Sequence, residues 1–117
     1  MSLPPKIPKK PKRSTRWRSQ AHLSFVRQHA CSVCGSMVAI EAAHVRLGSG
    51  AGMGEKPSDW RAVSLCGGPE GCHARQHRTG EHSFWEGRDV EALIEAFIKA
   101  SPKRQEIERI RKERADG

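Results

Sequence analysis

Cys66-Gly67-Gly68-Pro69-Glu70-Gly71-Cys72-His73-Ala74-Arg75-Gln76-His77 places two cysteines and two histidines within twelve residues. The three glycines allow a tight turn, after which a helix is expected over 72–78, ended by Gly80. Side chains four positions apart share a helix face about 6 Å apart along the axis, so His73 and His77 can hold one divalent ion between them. A His-x3-His pair alone is often only a polar helix face. Its place directly after a cysteine gives it more weight, because a metal on that sulfur would fix the helix at its first turn.

Upstream, Cys31-Ser32-Val33-Cys34-Gly35 has the spacing of a knuckle that aims two sulfurs at one point. With Cys66 and Cys72 it makes two pairs around a 31-residue excursion. Four thiolates form a closed tetrahedral zinc site with no open position, which makes that zinc structural; four buried free cysteines are the alternative. The N-terminal basic stretch lacks the apolar core of a secretory signal. No run approaches the ~18–20 apolar residues of a membrane helix. The chain therefore reads as cytoplasmic with no membrane partner, where paired cysteines argue for metal over disulfides.

Between the two pairs, residues 37–45 are rich in small and β-branched side chains and read as a strand or as two halves of a hairpin. In a strand Ala42 and His44 face one way, Glu41 and Ala43 the other. His44 ends the strand beside the expected metal helix. As a neutral imidazole it could take the proton of an attacking water; a core histidine and a third metal ligand are the alternatives. Residues 46–58 form a loop with glycines at 48, 50, 52 and 54 that matches no nucleotide-binding fingerprint. It is either a flexible connection or a loop whose backbone approaches a phosphodiester, with Arg46 and Lys56 as phosphate contacts. Asp59-Trp60-Arg61 leads into a second strand, 62–65.

The ends of the chain set its charge and flanks. Of the net charge of +8, much lies in residues 1–18, where Lys6, Lys9, Lys10, Lys12, Arg13, Arg16 and Arg18 occur with four prolines and no acid. Such a segment buries too little apolar surface to offset its ordering entropy and reads as a disordered basic arm. Basic charge of this kind suits a phosphate-rich partner. Ser19 can cap a helix over 20–29 with Leu23, Val26 and Phe25 inward, leaving His22 and His29 as solvated surface histidines. Asp89 can cap another running to Ala100, with Val90, Leu93, Ile94, Phe97 and Ile98 on one stripe. Ser101-Pro102 then starts a charged helix over about 102–114. The expected organisation is an arm (1–18), a zinc-stapled core (19–87) and C-terminal helices (88–117), in the α+β class.

The order of these parts resembles the HNH nuclease family and its ββα-metal fold. The match comprises the Cys31-x2-Cys34 knuckle, a strand carrying His44, a loop, a strand into Leu65-Cys66, and then Cys72-His73-x3-His77. A closer likeness is to a phage and prophage branch that includes the recombination-enhancement nucleases. It rests also on Arg16-Trp17-Arg18, His22-Leu23, Phe25-Val26, Ala43-His44-Val45-Arg46, Gly54-x-Lys56-Pro57-Ser58-Asp59-Trp60 and Phe84-Trp85.

The resemblance implies His44 as general base and His73 and His77 as ligands of a catalytic divalent ion such as Mg²⁺. It also implies products with a 5′-phosphate and a 3′-hydroxyl and, for the recombination enhancers, a recombinase filament as partner. The motif's middle asparagine has no clear counterpart; Asp59 is the nearest polar candidate, to orient His44 or bind metal. The aspartate that many members place before the first histidine is Ala43 here. The expectation is a metal-dependent DNA endonuclease, with Arg16, Arg18, Arg46, Lys56, Arg75 and Arg78 as candidate DNA contacts. The alternative is a non-catalytic zinc-binding DNA module, which leaves His44, His73 and His77 unused.

Overall fold

The computed structural model describes residues 2–8, 16–50 and 56–115. The expected arm residues Lys9, Lys10, Lys12 and Arg13, and residues 51–55 of the glycine loop, lie outside the described residues. Seven α-helices and β-strands follow in order among the described residues: α1 (Gln20–Arg27), β1 (Ile40–His44), β2 (Ala62–Cys66), α2 (Cys72–Thr79), α3 (Glu81–Phe84), α4 (Val90–Ala100) and α5 (Arg104–Ala115), with a 3-10 turn, Asp59–Arg61, leading into β2. The result is a small mixed α/β fold around a two-stranded antiparallel sheet, with Ile40 opposite Cys66 and His44 opposite Ala62. No helix is long and apolar enough to cross a membrane among the described residues.

The local signals act as expected at several boundaries. Ser19 Oγ accepts from His22 N (3.1 Å) and caps α1. Asp89 Oδ1 accepts from Ala92 N (3.0 Å) and caps α4. Gly80, at φ 89°, ends α2 in a conformation that side chains rarely adopt. Residues 62–65 of β2 are buried throughout, as a strand covered on both faces requires.

Helices α1 and α4 pack on this hairpin. Ile94 and Ile98 of α4 and Leu65 of β2 are almost wholly inaccessible, and each such burial contributes about 1.5–3 kcal/mol. Helix α5 is held to α4 by buried Ile107 and by a two-pronged ion pair from Arg111 to Glu95 (3.1 and 2.6 Å).

Four differences from the sequence reading are informative. His22 is not a surface histidine but fully buried, with Nδ1 2.7 Å from Ser101 Oγ. Burial pushes its pKa down, against the opposing charge of Asp59. The strand expected over 37–45 is regular only from Ile40, and Met37 and Val38 stand exposed. Ser101-Pro102 does not open the last helix: these residues form a turn, with Ser101 Oγ accepting from Lys103 N (3.0 Å), and α5 starts at Arg104.

The fourth difference is at the N-terminal boundary. Trp17 and Arg18 belong to the folded body rather than to the arm. Trp17 is buried, stacked on Trp60 at 5.6 Å, and its indole nitrogen donates to Glu106 Oε1 (3.3 Å). Trp17→Ala should therefore cost about 3–5 kcal/mol, the usual loss for a buried aromatic. Urea denaturation of the full chain measures it, and a loss below about 1 kcal/mol would place Trp17 in the arm after all.

Candidate metal centre and the cavity beside it

The two cysteine pairs converge. Their four sulfurs all lie within 4.8 Å of one another, and this group could hold a metal ion. Cys34 Sγ and Cys66 Sγ are 3.6 Å apart. Sulfurs bound tetrahedrally to zinc at about 2.3 Å stand about 3.8 Å from each other, so the donor set fits that ion in chemistry and in spacing.

The backbone is shaped around the cluster. Cys31 N donates to Ser36 O (2.7 Å) and Gly35 N to Cys31 O (3.0 Å), which closes the knuckle. Cys72 N donates to Cys66 Sγ (3.2 Å). At Gly71 a Cβ would overlap the carbonyl oxygens of Gly67 and Cys66, so only glycine fits where the turn enters α2.

The thiols differ sharply in acidity. Burial opposes ionisation of Cys31, but hydrogen bonds from the backbone of Cys34, Val33 and Cys66 and from the Cys34 thiol outweigh it, bringing its pKa to about 6. Burial pushes the Cys72 thiol up to about 12, reinforced by its hydrogen bonds with the other three sulfurs and by the charge on Cys31. Such a crowded group is stabilised when a cation replaces its shared protons.

Beside the cluster lies a cavity of about 670 Å³ whose lining includes His44, Arg46, Lys56, His73, His77 and Glu81. His44 comes from the end of β1. Its Nε2 lies 2.8 Å from Asp59 Oδ1, and Asp59 is only 3% exposed. Asp59 Oδ2 accepts from Ser19 N (2.8 Å) and Oδ1 lies 3.4 Å from Arg18 Nη1. A carboxylate so engaged accepts from His44 Nε2–H as well, so in the neutral imidazole the lone pair lies on Nδ1.

His73 and His77 stand one turn apart on α2, with ring centroids 5.0 Å apart. His73 Nδ1 donates to Glu41 Oε1 (2.9 Å), which leaves its Nε2 free of that bond and able to coordinate. His73 and His77 thus present two imidazoles to the cavity from one face of α2.

The remaining candidate residues are distributed unevenly. Arg46 and Lys56 are exposed and line the cavity. Arg75 and Arg78 are exposed on α2 but do not belong to its lining. Arg16 is half-buried at the start of the folded body. The Arg18 guanidinium is engaged with Pro57 O (2.6 Å), Lys56 O (3.1 Å) and Asp59.

Several residues that shape the site escape a reading of the sequence. Glu81 accepts from the backbone of Arg46 (2.7 Å) and Leu47 (3.2 Å), and so holds the segment that leaves His44. Arg61 grips the same segment through Val45 O (3.1 Å) and Leu47 O (2.7 Å) while pairing with Glu91. Gln76, fully buried between the histidines, accepts from the Trp85 indole (2.8 Å). For Glu81 a local signal exists, an acid directly after a helix-ending glycine; for the others there is none.

No curated protein and no solved structure matches the chain. The family model described as "Protein of unknown function (DUF968)" matches residues 3–103, most of the chain, and the protein belongs to that family.

Proposed function

We propose that the protein is a metal-dependent endonuclease that hydrolyses DNA phosphodiester bonds on an HNH-like ββα-metal core. The observation that carries this reading is the convergence of His44, paired with a buried carboxylate, and the His73–His77 pair on one cavity that also presents Arg46 and Lys56. A zinc-binding module that only docks on DNA has no use for that arrangement. In support, the four cysteine sulfurs could hold a zinc ion as a staple, and β1, β2 and α2 follow in the order that such a core requires.

In this reading His73 and His77 would hold a divalent ion such as Mg²⁺. When bound, that ion supplies charge stabilisation to the scissile phosphate and the leaving 3′-oxygen. His44 Nδ1, with Nε2 tied to Asp59, accepts the proton of the attacking water. Asp59 keeps the imidazole in that tautomer and offsets the charge it gains, which removes the need for the family's asparagine. Arg46 and Lys56 neutralise neighbouring phosphates at the cavity rim, and the basic N-terminal segment adds affinity independent of sequence. The setting that suits these parts is phage-related DNA recombination or processing, with a recombinase filament as candidate partner.

The test is cleavage of supercoiled plasmid and of single-stranded DNA by zinc-loaded protein, with Mg²⁺ or Mn²⁺ titrated in, with and without a recombinase filament. Cleavage that needs the added ion and is lost in His73→Ala and His77→Ala is expected. Tight DNA binding without cutting under every one of these conditions would leave the zinc-binding module as the better account.

A further inference from the structure

Residues 17–19 run beside residues 56–59 as a short strap. Trp17 N donates to Ser58 Oγ (3.1 Å), and Asp59 N donates to Trp17 O (2.9 Å). Ser19 N donates to Asp59 Oδ2 (2.8 Å). Between these bonds Arg18 reaches across, with Nη1 on Pro57 O (2.6 Å), Nη2 on Lys56 O (3.1 Å), and Nη1 3.4 Å from Asp59 Oδ1. That same Oδ1 accepts from His44 Nε2.

A guanidinium is a rigid planar fork, and its direction here is fixed by two carbonyls of a segment that ends at Asp59. A DNA phosphate would have to compete with four acceptors already in place, the carbonyls of Trp17, Lys56 and Pro57 and the Asp59 carboxylate. A nearly buried carboxylate also needs donors around it, or it would turn away from His44. An imidazole without that acceptor on Nε2 could carry its proton on Nδ1, the atom the reaction needs bare.

We propose that Arg18 is a positioning residue: together with the Ser19 amide it fixes the Asp59 carboxylate against His44, and it is not a DNA contact. The strap thereby makes the first folded residues of the chain part of the support of the base. This deepens the nuclease reading and rests on His44 being the base in it.

The experiment uses the full, zinc-loaded chain with Arg18→Ala and Arg18→Lys, and reads three quantities. Plasmid cleavage gives kcat and KM, the salt dependence of duplex binding gives the number of phosphate contacts, and ¹⁵N NMR gives the tautomer of His44. For Arg18→Ala, kcat should fall about 10- to 100-fold, as on loss of outer partners of a functional histidine. KM and the salt slope should change little, and His44 should pass from a single Nε2–H tautomer to a mixture. Lysine restores the charge without the fork and should recover only part of kcat. A raised KM at unchanged kcat, with a salt slope smaller by about one, would make Arg18 a phosphate contact and overturn the inference.

Two controls separate the possible failures. Should Arg18→Ala not fold, Arg18→Lys and the native chain carry the test, because an Nδ1–H tautomer of His44 in the native protein overturns it outright. Should the native chain cut no DNA, the nuclease reading falls, but the His44 tautomer still decides the role of Arg18: a shift in the variants supports it, and an unchanged tautomer refutes it.

Discussion

His44→Ala should cleave DNA about 10²- to 10⁴-fold more slowly than the native chain, the range set by losing a positioned general base. Binding of the same DNA should stay within about twofold, because Arg46, Lys56 and the N-terminal basic residues are untouched. The fold should survive as well. The His44 side chain is 15% exposed at a cavity wall, and after its loss Asp59 still accepts from Ser19 N and lies beside Arg18. No buried carboxylate is left bare, which is the usual reason for collapse when one partner of such a pair is removed.

Asp59→Asn should produce an intermediate defect in kcat. An amide can present its NH₂ group to His44, which would favour the wrong tautomer, whereas alanine at position 44 removes the imidazole altogether. Plasmid nicking rates at saturating divalent ion, with affinity measured separately by fluorescence anisotropy, check both variants. Undiminished cutting by His44→Ala would remove the general base from the account.

Removal of a metal held by the four cysteines should have the largest effect on stability. Zinc content should be one ion per chain, and a strong chelator should unfold the protein in a single transition reversed by adding zinc. Apparent binding free energies of structural zinc reach about 10–16 kcal/mol in small zinc domains, as large as the whole stability of an ordinary domain. Cys34→Ala is the informative substitution. Cys34 is exposed whereas Cys31 and Cys72 are buried, so alanine at position 34 leaves no cavity in the core and reports the metal alone. It should cost about 3–5 kcal/mol, comparable with losing a disulfide across a loop of similar length. That corresponds to a fall in Tm of about 10–30 °C. Zinc analysis with thermal denaturation checks it, and a Cys34→Ala protein as stable as the native one would show that the sulfurs only pack together.

What the sequence made legible was mostly local. Ser19 and Asp89 cap their helices because a side-chain oxygen and an amide three residues on are enough to define a cap. The cysteines meet because CxxC-type spacing is itself a geometric statement. The apolar stripe of α4 is buried as its period demands. Helix α3, four residues long, is too short to show any period. His22 looked solvent-facing because the residue that binds its ring, Ser101, lies 79 positions away. Arg18 looked like one more charge in a basic arm, since its long-range acceptors come from residues 56–59 and two of those are backbone carbonyls that no side-chain pattern announces. Placement of the candidate site thus depends on contacts made across the chain, whereas its residue types could be read from short motifs.

The glycine-rich segment is pinned at both ends. At its start Glu81 and Arg61 hold residues 46 and 47; at its end Arg18 holds residues 56 and 57. Each end is thus held by its own side chains, so a substitution at Glu81 should loosen residues 46 and 47 while Arg18 keeps its hold on residues 56 and 57.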